Sequence, residues 1–272
     1  MEIYSLIMPM YGGSRFARLA VDSLIRHSSM PARLLLVVEP ANTEEDDAWL
    51  RSLPDAWPGP LRIMRNPERL GYYATVNRGV HACETDMAVI FTTDQVAAPE
   101  WDRCLLEAVK PRRFVTGRLV ESGANLIADG NLWKNFGYQP EEFDEQAFVH
   151  YCRTFQPDRW LDLPRHYIPM AFHVKDFIDA GMFREVWDTG NAKTTREDFD
   201  FFLRVHRLGF ELVEVQKPLS YHFQSGSRKG RFRYSFLNAV YPYGLKHVHR
   251  WLTGYVSPYN ALWAQGARVP ET

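Results

Sequence analysis

The chain is poor in cysteine, and the cysteines it has are not arranged to build anything. Cys83, Cys104 and Cys152 are odd in number, far apart and without a C-x-x-C pair. That excludes a disulfide scaffold, argues against a structural zinc site and fits a reducing compartment. No apolar run approaches the ~20 residues that a membrane-spanning helix needs. The opening segment, MEIYSLIMPMYGG, has an acidic second residue and a short apolar run, and does not read as a secretory signal. No G-x-G-x-x-G follows the first apolar run and no G-x-x-x-x-G-K-[ST] occurs, which speaks against a dinucleotide site and a P-loop NTPase. G-x-S-x-G and H-E-x-x-H are missing as well, so hydrolases of those types have no support. Repeats and low-complexity segments are also lacking. What remains is 272 residues, 46% hydrophobic and 24% charged, an ordinary globular composition with enough chain for a sizeable core.

Acidic residues are missing from one long stretch. Residues 215–270 contain no Asp or Glu but eight Lys and Arg, so they carry +8, and the preceding 214 residues carry −8. Aromatic residues interleave with these charges from Phe232 to Trp263. A basic tail on an acidic body is expected to meet the body itself, a second subunit, a phosphate-rich ligand or an anionic membrane surface.

The first half alternates strand-like and helix-like patterns. Residues 3–8 are an apolar run ending at Pro9, and residues 34–38 are a continuous aliphatic run of the kind found in a buried parallel strand. Residues 61–64, 87–91 and 114–117 read as further strands. Ser14 is expected to cap a first helix, and Thr43 with Asp46 to form a capping box on an acidic second helix. Residues 71–83 and 99–109 read as two more helices. Such alternation implies right-handed βαβ units in an open parallel sheet, whose ligands bind beyond the carboxyl ends of the strands.

Four segments carry the chemistry: MPMYGG (8–13), NPERLGYYATVN (66–77), TTDQ (92–95), and REDFDFFLRVHRLGF (196–210) followed by SYHFQSGS (220–227). In this order, over roughly residues 3–227, the chain resembles the family 2 glycosyltransferases of GT-A fold. The resemblance implies an α/β fold with a mostly parallel central sheet flanked by helices. It further implies a catalytic domain over 1–227, with a nucleotide-sugar-binding half (1–117) and an acceptor-binding half (118–227). Residues 228–272 would then form a basic, aromatic C-terminal extension.

The resemblance also implies roles for residues. Pro9, Tyr11, Glu39, Arg69, Gly71, Asn77, Thr93 and Asp94 fall where the family binds the nucleotide. Asp94 and His222 fall at metal-ligand positions, for Mn²⁺ or Mg²⁺, because a diphosphate leaving group calls for a hard cation held by oxygen ligands at a strand end. Here the first acid of the family's D-x-D is Thr92, and only the last is kept. Asp198 falls at the position of the base that takes the acceptor proton during inverting transfer, with Glu197 beside it. Phe199, Phe202 and Leu203, at helical spacing, are expected to anchor that helix, and Asp200 with Arg204 to form a surface pair. The aromatic residues between 121 and 170, including Trp133, Phe136, Tyr138, Phe143, Trp160, His166 and Tyr167, lie where the acceptor site is usually shaped, although most of them read as core.

The implied activity is transfer of a sugar from a nucleotide-diphosphate donor, UDP first with GDP or dTDP as alternatives, to a glycan, lipid-linked or small-molecule hydroxyl. The expected setting is cytoplasmic, with peripheral contact to the inner face of a membrane through residues 228–263 and a homodimer as a further expectation. Nucleic acid is not an expected partner. Two other readings are kept: a catalytically degenerate binding module of the same fold, and a nucleotidyltransferase, for which MYGGSR offers only Arg15.

Overall fold

The computed structural model describes residues 3–40, 42–122, 132–156, 168–185 and 197–223, with backbone only for Trp133, Glu197, Asp198, Phe199, Asp200 and Leu203. The expected extension at 228–272, with its membrane contact, lies outside the described residues, as do Trp160, His166 and Tyr167. Among the described residues no helix is long and apolar enough to cross a membrane.

Three βα steps and a fourth strand open the fold: β1 (Tyr4–Met10), α1 (Ser14–His27), β2 (Ala32–Val38), α2 (Glu44–Ala56), β3 (Leu61–Arg65), α3 (Tyr72–His81) and β4 (Met87–Ile90). Then come β5 (Gln95–Ala97), α4 (Trp101–Leu106), β6 (Arg113–Glu121), β7 (Leu132–Trp133), α5 (Glu145–Thr154), β8 (Met170–His173), α6 (Val174–Asp179), α7 (Glu197–Arg207) and β9 (Glu211–His222). The nine strands among the described residues join one sheet in the order β3-β2-β1-β4-β8-β6-β9-β5, with β7 beside β6. β1, β2, β3 and β4 are mutually parallel, β8 runs against β4 and β6, and β9 is parallel to β6. The sheet is therefore mostly parallel, as expected. β6 crosses the boundary placed at 117/118, so the two halves share this sheet.

Burial explains the aliphatic runs. Leu6, Met8, Leu34, Leu36 and Val38 pack with Trp49, Leu53 and Trp101 on one face. Ile7 and Leu35, the alternate residues, pack with Val76, Val80 and Phe177 on the other. A strand covered on both faces needs apolar side chains at every position. Gly79 lets α3 lie directly on that second face, since a Cβ there would sit 2.4 Å from Ile7 Cγ2.

Three expectations about boundaries are corrected. β1 does not stop before Pro9 but continues to Met10. Ile7 O accepts from Phe91 N on the β4 side, and Pro9 faces that side beyond the end of β4, where a missing N–H costs no ladder bond. Ser14 does not cap α1. Gly13 takes the cap position at φ 70°, and Asp46 Oδ1 accepts the Ser14 N–H at 2.8 Å. The expected Thr43–Asp46 box on α2 is formed as well, so one buried aspartate caps two helices. Finally, β6 runs through Gly117 to Glu121. A Cβ at Gly117 would meet Leu219 at 2.3 Å, so the glycine permits close packing inside the strand and does not end it.

Candidate active site

Strand direction assembles the site. With β1 to β4 parallel, β8 reversed, and β6 and β9 running with β4, the carboxyl ends of β1, β2, β3, β4, β6 and β9 share one rim. β5 starts at that rim and runs antiparallel to β9, with Gln95 opposite His222. Every described candidate for donor or metal binding lies at this rim or on the loops and helix that follow it.

The loop after β1 carries Tyr11, which is 55% exposed and so available to a ligand. The Arg69 guanidinium lies 4.8 Å from the centre of its ring, a cation–π contact joining two separately expected nucleotide residues. The loop between β3 and α3 is tied down from below. Glu39 is buried at the end of β2 and accepts hydrogen bonds from Leu70 N at 3.0 Å and from the Thr75 hydroxyl. Asn66 donates to Thr75 Oγ1 at 2.9 Å and accepts from Arg78. Gly71, at φ 83°, makes the turn into α3 with open space around it, so its requirement is conformational. Asn77 is buried in α3. It donates to Phe183 O at 2.8 Å and Glu185 Oε1 at 2.9 Å, and accepts from Phe183 N, which fastens α3 to residues 182–185.

Beyond β4, Thr92 donates to Asp94 Oδ1 at 2.8 Å. Asp94 Oδ2 lies 3.4 Å from His222 Nε2, and His222 Nδ1 lies 3.1 Å from Glu121 Oε1. The imidazole is thus held between two carboxylates. Burial alone would raise Asp94, but His222 and the hydrogen bonds from His222 and Thr92 hold it below the usual carboxylate range. For His222 burial opposes the charge, and Asp94 with Glu121 outweighs it, so the imidazole is raised. The two residues expected to hold a metal, 128 positions apart in sequence, are neighbours here. Among the described residues no group of three or more His, Cys, Asp or Glu forms a complete cage. A carboxylate and an imidazole side by side, each 24% exposed, suit a hard or borderline divalent cation that would displace the Nε2 proton of His222 and take its remaining ligands from water or a diphosphate.

Glu197 and Asp198 stand in the first turn of α7; their side chains lie outside the described residues. The helix is fixed by a phenylalanine cluster. Phe201 lies 4.7 Å from Phe177, 4.9 Å from Phe183 and 5.3 Å from Phe114, between ring centres. The described buried face is Phe201, Phe202 and Val205; the expectation named Phe202 and missed the other two. Arg204 donates to Met182 O at 2.6 Å and to Ala180 O, linking α7 to the turn after α6. Among the aromatics between 121 and 170, Phe136 and Phe143 pack with Phe148, Tyr221 and Phe223, whereas Tyr138 is exposed.

Glu121 is not among the residues the sequence points to. Arg118–Glu121 does not alternate, because β6 is buried on both faces, and Gly117 reads locally as a strand end, so no local signal marks it.

No curated protein matches the sequence. Solved structures resemble its fold, three of them with TM-scores of 0.53–0.54. TarS from S. aureus is 13% identical, with 82% of this chain and 36% of that one covered. GalNAc-T7, crystallised with UDP, GalNAc and Mn²⁺, is 16% identical, with 82% and 43% covered. TarS 1–349 in complex with UDP-GlcNAc is 13% identical, with 83% and 61% covered. The chain thus spans about a third to three fifths of the length of these proteins, and at such identities the likeness concerns the fold. The model of the family described as glycosyl transferase family 2 matches residues 5–161, more than half of the chain, and the chain belongs to that family.

Proposed function

We propose that this glycosyltransferase moves a sugar from a nucleoside-diphosphate donor to an acceptor hydroxyl with inversion, assisted by a divalent cation. The observation that carries the reading is the convergence on one rim of Tyr11 with Arg69, the Glu39-anchored loop, and the Asp94–His222 pair. Tyr11 and Arg69 offer a flat cationic surface to a base or ribose. Asp94 and His222 would hold the cation, which when bound supplies positive charge to the departing diphosphate. The UDP in the GalNAc-T7 structure and the UDP-GlcNAc in that of TarS 1–349 support UDP as the first donor nucleotide to try.

Asp198 takes the proton. The acceptor oxygen attacks the anomeric carbon from the face opposite the diphosphate, and the bond from that carbon to the phosphate oxygen breaks. Its electron pair leaves with the diphosphate, and the hydroxyl proton passes to the Asp198 carboxylate. Glu197 orients the acceptor or the loop. The acceptor is a glycan, a lipid-linked saccharide or a small metabolite.

Asp198→Asn, assayed for transfer and for nucleotide binding by thermal shift, tests this. The expected result is loss of transfer with nucleotide stabilisation intact. Retained turnover, or loss of nucleotide binding, overturns the role. A panel of UDP, GDP, dTDP and CDP with Mn²⁺, Mg²⁺ or EDTA tests the donor site, since a ligand of the folded state raises its stability. No shift with any nucleotide would favour a binding module that has lost its chemistry.

A further inference from the structure

Glu121 closes β6 and is 4% exposed. Its register places it directly beside His222, the last residue of β9. The Oε1 atom takes His222 Nδ1 at 3.1 Å, and Oε2 has no hydrogen-bond partner among the described residues. The ring's other nitrogen, Nε2, faces Asp94 at 3.4 Å. Exposure divides the three groups: the side chains of Asp94 and His222 are each 24% exposed and reach the rim, whereas that of Glu121, at 5%, lies behind.

An imidazole that ligates a cation through one nitrogen must turn that nitrogen outward and donate a hydrogen from the other. A carboxylate behind the ring fixes both the orientation and the tautomer, and raises the basicity of the ligating nitrogen. The backbone beneath the ring is fixed, because His222 is paired on both sides, with Glu121 and with Gln95, and the ring itself is held by Glu121 and Asp94. Ser122 N donates to His222 O and Phe223 N to Asp94 O, which locks the same three strand ends together.

We infer that Glu121 is a positioning residue that holds His222 with Nε2 directed to the cation shared with Asp94. The inference rests on the metal-assisted reading above. Glu121 touches neither donor nor acceptor and acts through His222 alone. It follows that Glu121 sets which cation the site prefers. An imidazole ligand favours Mn²⁺ over Mg²⁺, which is content with oxygen ligands. A ring released from Glu121 would cost Mn²⁺ more than Mg²⁺.

The test is equilibrium dialysis of Mn²⁺ and, separately, Mg²⁺ against the full chain, with UDP, GDP and dTDP on both sides of the membrane and protein-bound metal counted. The proteins are wild type, Glu121→Leu, Glu121→Gln and His222→Ala, each with its metal-free melting temperature. Glu121→Leu should weaken Mn²⁺ by about 10–100-fold, as loss of a carboxylate behind a ligating histidine does elsewhere. Mg²⁺ should change less, so the preference for Mn²⁺ narrows. Glu121→Gln keeps an acceptor without the charge and should fall between. Adding Glu121→Leu to His222→Ala should have no further effect.

Folded variants with unchanged Mn²⁺ affinity overturn the inference and leave the metal reading standing. So does an equal loss for both cations that tracks a drop in melting temperature, the mark of a purely structural role. A wild type that binds nucleotide but neither cation overturns the metal reading and the inference with it. If Glu121→Leu does not fold, Glu121→Gln alone decides, because it preserves shape and the hydrogen bond.

Discussion

Asp46 is the residue whose removal is best worked out in advance. It is 4% exposed and accepts Ser14 N at 2.8 Å and Thr43 N at 2.9 Å, while its own N–H goes to Thr43 Oγ1 at 3.2 Å. Asp46→Ala therefore uncaps the start of α1 and half of the box on α2. Each cap is worth about 1 kcal/mol, so one cap and half of a box amount to about 1.5–2 kcal/mol. For a chain of this size that lowers the melting temperature by about 3–8 °C. Thr43→Ala, which spares the contact to Ser14, should lose about half as much. The pH dependence has a definite sign. Burial raises the Asp46 carboxyl, but the hydrogen bonds from Ser14 and Thr43 outweigh it, and the net position is lowered. A lowered carboxyl stabilises the fold above its unfolded pKa of about 3.9, and this contribution fades as pH falls below that value. Urea unfolding should thus separate wild type from Asp46→Ala at pH 7, with the gap narrowing toward pH 3. If Asp46→Ala and Thr43→Ala melt alike at pH 7, or the gap widens on acidification, the double cap is refuted. Because α1 begins immediately after the Tyr11 loop, Asp46→Ala is also expected to raise the donor KM.

Two further predictions concern the rim. Arg69→Ala removes a cation–π contact to Tyr11 worth about 0.5–1 kcal/mol at an exposed site, so the melting temperature should fall by about 1–4 °C, and loss of a contact of the same size to the bound base should weaken nucleotide affinity by calorimetry by about 2–5-fold; an unchanged affinity would exclude the pair from the donor site. Asn77→Leu leaves Phe183 N and O unpaired, at about 1–3 kcal/mol per buried group; chemical denaturation should show a loss of about 3 kcal/mol, and a neutral result would mean that residues 182–185 are held by other contacts.

Much of this was legible in the sequence because parallel strands announce themselves. Residues 34–38 are apolar at every position because both faces of β2 are covered, and no other local arrangement writes that pattern so simply. The Thr43–Asp46 box was legible for the same reason, being a local hydrogen-bond exchange. What could not be read locally was the second use of Asp46, since its partner Ser14 lies on another helix. Glu121 was hidden by Gly117, whose meaning comes from Leu219, about a hundred residues downstream. Phe201 is not legible locally, because helical spacing from Phe199 points to Phe202 and Leu203, and only the positions of Phe114, Phe177 and Phe183 decide which face is inside.

The place of β9 bears on how the protein acquires activity. Its end is threaded between β6 and β5, and the Ser220–Gln95 hydrogen bond alone spans 125 residues. Contacts of such sequence separation form slowly, because the intervening chain must be ordered before they return any stabilisation. The loops around Tyr11, Arg69 and Gly71 come from short-range βαβ units, complete within the first 81 residues. His222 reaches Asp94 only once the last strand has inserted. Turnover, if it depends on that pair, then reports completed topology, and a chain stalled before this insertion would hold the donor loops in place yet remain inert.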